Sequence, residues 1–215
     1  MARYTRTREA AKIATGIKII LGSAVLNDLL LSLARWLDAQ TWSTSIHESL
    51  YMYAWIESTH VIVLMLFLGM LFVIDLRMLG LAFTNVPASR IADRLDKPMM
   101  IGFVVMVVTG FILYYAIPVR STQSIWFRMK VVLLIAAGIN AIMFRRKMQQ
   151  ATGDWDTDPK PPKRIRIGAG LSLALWSGVV MTGRTIAYDW FDCHKQLSYF
   201  TYWAAGCVDE MAAME

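Results

Sequence analysis

Charge is scarce in this chain, and so is cysteine. Asp, Glu, Lys and Arg make up 18% of its 215 residues, against about 25% in a soluble domain. Two cysteines, Cys193 and Cys207, exclude a disulfide-built scaffold and a short-spaced zinc motif. No glycine-rich phosphate loop, G-x-S-x-G or H-E-x-x-H occurs, so nothing supports a kinase or a hydrolase. Histidine is equally sparse, with three residues in all: His47, His60 and His194.

What fills the chain is apolar. The hydrophobic fraction is 56% and the mean hydropathy +0.44. The few charges sit in short blocks between long apolar runs, the pattern of an integral membrane protein. Four runs reach the roughly 20 residues that a helical span needs: Leu50 to Leu76, Met99 to Ile117, Ile125 to Phe144 and Ile167 to Ile186. The expected fold is therefore all-α, a four-helix membrane bundle spanning residues 50–186. Residues 1–49 precede it as a basic segment, and residues 187–215 follow as an aromatic-rich tail. Pro98 and Pro118 bracket the second run, as prolines do near helix ends. The polar stretch GDWDTDPKPPKR reads as an aqueous loop.

The net charge of +6 does not point to nucleic acid. Most Lys and Arg flank the apolar runs, where they set membrane topology, and no nucleic-acid-binding motif appears. Arg77, Arg90, Arg94 and Lys97 follow the first run, and seven more Lys and Arg lie between residues 145 and 166. The other connections carry Arg120, Arg128, Lys130, Arg184 and Lys195. The two richer loops are thus expected in the cytoplasm of a bacterial inner membrane, with the C-terminus in the periplasm. There a Cys193–Cys207 disulfide is plausible and two unpaired thiols equally so.

The basic N-terminus fits this map if residues near Ile13 to Leu37 form a fifth span, or if they lie along the membrane surface. Leu26, Leu29, Leu30, Leu33 and Leu37 fall on one helical face, which favours an interfacial amphipathic helix. Gly170, Ala174 and Gly178 recur every four residues in the last run, and Ala137 and Ala141 do so in the third, a spacing that lets membrane helices approach closely. Trp176 and the aromatic tail suit the headgroup region.

Within the first run stands WIESTH. Glu57 and His60 are three residues apart, so both can face one cavity. Ionisable groups inside a span mark a functional site or an internal pair. Thr109, Asn140, Arg128, Lys130 and Arg184 are the candidate partners. A structural reading pairs Glu57 with one of these cations. Asp75 and Arg77 close the run, and Asp75 is expected to pair with a base such as Arg145 as a clamp. His60 has three readings: a structural imidazole, an axial ligand to haem b, or a metal ligand. For haem, a second ligand would have to be His194 or one of Met52, Met65, Met106 and Met181. For copper, His47, Glu48, Met52, Cys193 and His194 would converge at the outer mouth with His60 below. A di-iron site lacks its second E-x-x-H.

HESLYMYAWIESTH, IDLRMLG, WFRMK and NAIMFRR together resemble a poorly characterised family of small four-helix bacterial inner-membrane proteins, loosely related to copper-resistance D-type proteins and b-type cytochrome bundles. The resemblance covers about residues 26–186. It implies a Glu57–His60 pair and the D-L-R-x-L-G close at Asp75 to Gly80. It also implies an Arg before the Glu-Ser pair, where this chain has His47. The basic N-terminus and aromatic tail look like additions of the kind that dock partner subunits. Three functions follow as expectations. One is a membrane subunit of a redox-linked complex carrying haem b or a quinone near His60, with Glu57 and Thr109 beside it. The second is copper handling. The third is a non-catalytic accessory subunit that contacts membrane or periplasmic proteins. None makes the chain an enzyme on its own.

Overall fold

The computed structural model describes residues 25–151, 155–188, 199–205 and 207. Residues 25–38 form helix α1. It is followed by α2 (Thr41–Glu48), α3 (Met52–Leu79), α4 (Ala88–Ala116), α5 (Pro118–Thr122), α6 (Ile125–Ala151), α7 (Lys163–Tyr188) and α8 (Tyr199–Ala205). Four of these, α3, α4, α6 and α7, contain stretches long and apolar enough to cross a membrane. The chain is an all-α integral membrane protein built on a four-helix bundle.

Two boundaries show how the sequence sets the elements. Helix α3 stops at Gly80, which has φ 73° and whose N–H returns to the carbonyls of Leu76 and Arg77. A Cβ at this position would stand 2.8 Å from the Pro159 carbonyl oxygen, so both backbone conformation and space require glycine. Helix α4 does not begin at Pro98. It begins at Ala88, and Pro98 lies inside it. Proline removes one helical hydrogen bond, to the carbonyl four residues back. That carbonyl belongs to the exposed Arg94, where water can take the missing donor's place. Pro118 does open a helix, α5.

Helix α3 packs against both α4 and α7, and α7 packs against α6. Helices α4 and α6 do not pack closely on each other. At mid-depth the four are joined by a cluster of Phe67, Met106, Ala137, Trp176 and Val179. Phe67 meets Trp176 edge-on, with ring centroids 4.9 Å apart. Trp176 is therefore a core residue and not an interfacial one. It is held there by aromatic contact worth about 0.5–1.5 kcal/mol beyond burial. The small residues of α7 also depart from a single stripe. Gly178 faces Leu133 and Gly168 faces Phe144 on α6, whereas Gly170 faces Leu79 on α3. Ala174 is exposed.

A second cluster, Ile74, Met78, Ala88, Trp155, Ile165 and Ala169, closes one end of the bundle. Here Arg77 is fully buried. Its Nε donates to the Val86 carbonyl at 2.8 Å, and Nη2 donates to the carbonyls of Asp156 and Asp158 at 3.2 and 3.1 Å. The Asp156 carboxylate accepts from the Ser89 backbone N–H (2.7 Å) and hydroxyl (2.6 Å), and its carbonyl from the Ala88 N–H. It thus caps the first turn of α4 from a distant loop. Arg77 is the tie between the two loops at this end.

The expected Asp75–Arg145 pair does not form. Arg145 meets Asp96 at 3.3 Å, while Asp75 is buried between α3 and α7, with Ser172 as its hydrogen-bond partner. Asp75 and Arg77 are two residues apart on a helix, so they face different neighbours.

At the other end, α2 seats on α4 through Ser43, whose hydroxyl donates to the Tyr115 carbonyl at 2.8 Å. In α1, Leu31 and Ala34 are buried, whereas Leu26, Leu29, Leu30 and Leu33 are exposed. These four leucines therefore point away from the bundle. The alternative fifth span begins in residues outside those described.

Replacing Arg77 with Ala removes the side-chain donor from the Val86, Asp156 and Asp158 carbonyls and empties a fully buried site. We expect it to lower stability by about 3 kcal/mol or more, whereas Asp156→Ala, which removes only a cap, costs about 1–2 kcal/mol. Thermal unfolding in detergent, followed by circular dichroism, checks the order of the two.

Candidate functional site

His60 lies eight residues into α3, about 12 Å along the helix. It is half-buried and turned toward α4. Its Nδ1 sits 2.8 Å from the Thr109 hydroxyl. That hydroxyl donates its single hydrogen to the carbonyl of Val105 at 2.7 Å, four residues back, with Met106 O at 3.3 Å. With that hydrogen on the Val105 carbonyl, the Thr109 oxygen accepts from Nδ1; with it turned to His60, Nδ1 is the acceptor. In the tautomer with the proton on Nδ1, the other ring nitrogen, Nε2, keeps its lone pair.

Two glycines make room for this arrangement. A Cβ on Gly110 would lie 3.4 Å from His60 Cε1, and one on Gly183 would lie 3.5 Å from Lys130 Nζ. The imidazole and the ammonium each rest over bare backbone, on α4 and α7 respectively. Lys130 comes from α6 and is close enough for its charge to act on His60. All four spans therefore contribute to one polar layer: His60, Thr109 with Gly110, Lys130, and Gly183. The Phe67–Met106–Trp176 cluster forms its apolar floor.

Glu57 does not share the His60 pocket. It is exposed, one helical turn beyond Tyr53 and electrostatically coupled to it. Among the described residues, neither Arg128 nor Lys130 is ion-paired to it. Arg128 instead donates through Nε to the Thr122 carbonyl (3.0 Å) and through Nη1 to Asn27 Oδ1 (2.8 Å) and the Ala204 carbonyl (3.0 Å). It thereby ties α1, α5 and α8 to the start of α6. Arg184 is exposed. Asn140 serves packing, donating to the Gly168 carbonyl at 3.1 Å.

Of the proposed copper ligands, His47 is exposed on α2 and Met52 is exposed at the start of α3, and no group of three His, Cys, Asp or Glu suited to a metal exists among the described residues. Met65 and Met181 are exposed, and Met106 is packed into the central cluster. Cys207 is disulfide-bonded. Cys193 and His194 lie outside the described residues.

Lys130, Gly110 and Gly183 were not singled out as one site by sequence. The available signal was a cation just inside an apolar run and a glycine beside a threonine, both of which have commoner structural explanations.

The class this defines is a small multi-pass membrane protein with a polar layer held inside its helix bundle. The chain belongs to the family of unknown function DUF6644, whose profile matches residues 44–189. That span takes in the four membrane helices and the whole polar layer. The match itself relates the chain neither to copper-resistance D-type proteins nor to cytochromes. No curated protein and no solved structure matches the chain.

Thr109→Val keeps the shape of residue 109 but strands Nδ1 in the bundle. It should cost about 0.5–2 kcal/mol, the range of interhelical hydrogen bonds in membranes. Gly110→Val should cost more, because it also forces the imidazole off α4. Both are checked by thermal unfolding in detergent.

Proposed function

We propose that this chain is the membrane-embedded subunit of a redox-linked complex, and that His60 is the residue that meets its redox-active small molecule. The supporting observation is the contact of His60 Nδ1 with the Thr109 hydroxyl at 2.8 Å, which holds the ring between α3 and α4. With the Thr109 hydrogen on the Val105 carbonyl, Nδ1 has the proton and Nε2 keeps a lone pair inside the bundle. A tied Nδ1 with a bare Nε2 is the arrangement of imidazoles that accept protons or bind iron. Haem b would use Nε2 as an axial ligand; a quinone-type molecule would use it as a hydrogen-bond acceptor.

The basic loops favour a cytoplasmic Arg77 end and a His60 end toward the periplasm of a bacterial inner membrane. The disulfide at Cys207 is in keeping with an oxidising compartment on that side. Helices α1, α2 and α8, gathered there by Arg128 and Ser43, give periplasmic or membrane partner subunits a surface to contact. The copper reading has no observation in its favour beyond His60 itself. A purely scaffolding subunit is the alternative that the following experiment excludes or establishes.

The complex is purified from membranes in mild detergent, with the wild-type chain and with His60→Ala. We expect partner subunits to co-purify equally with both, and electron transfer through the complex to fall to background in the variant. Unchanged electron transfer with intact co-purification would make the chain a scaffold.

A further inference from the structure

Two hydrogen bonds set the depth of the first two helices. Asn27 Oδ1 of α1 accepts from Arg128 Nη1 at 2.8 Å, and the Ser43 hydroxyl of α2 donates to the Tyr115 carbonyl at 2.8 Å. Arg128 is in the first turn of α6, and Tyr115 is in the last turn of α4. Asn27 and Ser43 therefore lie at one level, where the spans reach the same face of the membrane. From Asn27 to Asp38 α1 rises about 16 Å. Only Ala39 and Gln40 join it to α2, so a helix running across the membrane would carry Ser43 away from that level. Helix α1 runs along the boundary instead. At about 100° per residue it has three faces. Leu31 and Ala34 are buried on the first, beside the Asn27 contact. Leu26, Leu29, Leu33 and Trp36 stand on the second and are all more than half exposed. Asp28, Ser32 and Arg35 stand exposed on the third. Trp42, Tyr51 and Trp55, exposed at the same end, are side chains suited to a membrane–water boundary.

We propose that α1 is a lipid-binding helix, lying along the leaflet at the His60 end with Leu26, Leu29, Leu33 and Trp36 among the phospholipid headgroups and upper acyl chains. Asp28, Ser32 and Arg35 face water. The geometry favours lipid as the occupant because the apolar ridge stands at headgroup depth, where phospholipid surrounds the bundle. The charged face is turned away from the ridge, as a helix half-immersed in an interface requires. The inference goes beyond the redox reading and is independent of it: residues 25–38 hold a lipid contact and not a fifth crossing.

The test puts the photoreactive residue p-benzoylphenylalanine in place of Leu29, Leu33 or Ser32, one at a time, in the full chain in its native membranes. After irradiation the purified chain is weighed by mass spectrometry. We expect phospholipid adducts at Leu29 and Leu33 and their loss at Ser32. Protein adducts in place of lipid at Leu29 and Leu33 would make the ridge a subunit interface and overturn the proposal. Lipid adducts of equal yield at all three positions, the result for a helix immersed on every side, would overturn it, and so would no lipid adduct at any of them. A second measurement needs no probe. In phosphatidylcholine nanodiscs, Leu29→Asp combined with Leu33→Asp should speed amide hydrogen exchange over residues 25–38, and Ser32→Asp should leave it unchanged. Exchange that is the same in both variants contradicts the contact.

Discussion

An imidazole nitrogen turned into hydrocarbon cannot fall back on water, so its hydrogen bond must come from the protein. In this bundle that bond runs from His60 Nδ1 to Thr109, and its direction is decided by a second constraint. The threonine hydroxyl has one hydrogen, already given to the Val105 carbonyl of its own helix. A threonine of α4 that gives its hydrogen to its own helix would thereby set the proton position on a side chain of α3, and with it the chemistry left at Nε2. Everything inferred about the site follows from that chain of obligations.

The bundle is organised differently at its two ends. At one, Arg77 spends its donors on carbonyls from two loops, and Asp156 caps α4. These groups hold the loops in place. At the other, glycines stand where larger residues would fill space, and the polar groups lie over them. Helix α3 carries both Arg77 and His60, and it is the helix that touches both α4 and α7. The polar layer therefore rests on the best-anchored element of the fold. Gly178 against Leu133 and Gly168 against Phe144 bring α7 close to α6, which sets Lys130 within reach of the same layer.

Much of the architecture was legible because its cause is local. Long apolar runs must be helices where no water can satisfy the backbone, and Gly80 ends α3 through its own left-handed conformation. The errors have a common physical origin. A soluble helix betrays its inward face by polarity, but a membrane helix is apolar toward both lipid and core, so its rotation is not written in the pattern. Trp176 was therefore assigned to the interface when it belongs to the core. Arg145 was given to Asp75 when Asp96 lies beside it, and Glu57 was aimed into the cavity when it faces outward. The Asp156 cap on α4 and the Ser172 contact to Asp75 join residues far apart in sequence. Thr109 stood out as a hydroxyl in an apolar run, but only its geometry relative to Val105 shows which partner carries the proton.

The central claim is the protonation pattern of one ring, and nitrogen-15 NMR of histidine-labelled protein in nanodiscs reads it directly. With three histidines, the His60 signals are assigned by their loss in His60→Phe. The account predicts a protonated Nδ1 and an unprotonated Nε2 at neutral pH. A His60 ring with its proton on Nε2, or one exchanging freely between the two tautomers, would contradict it.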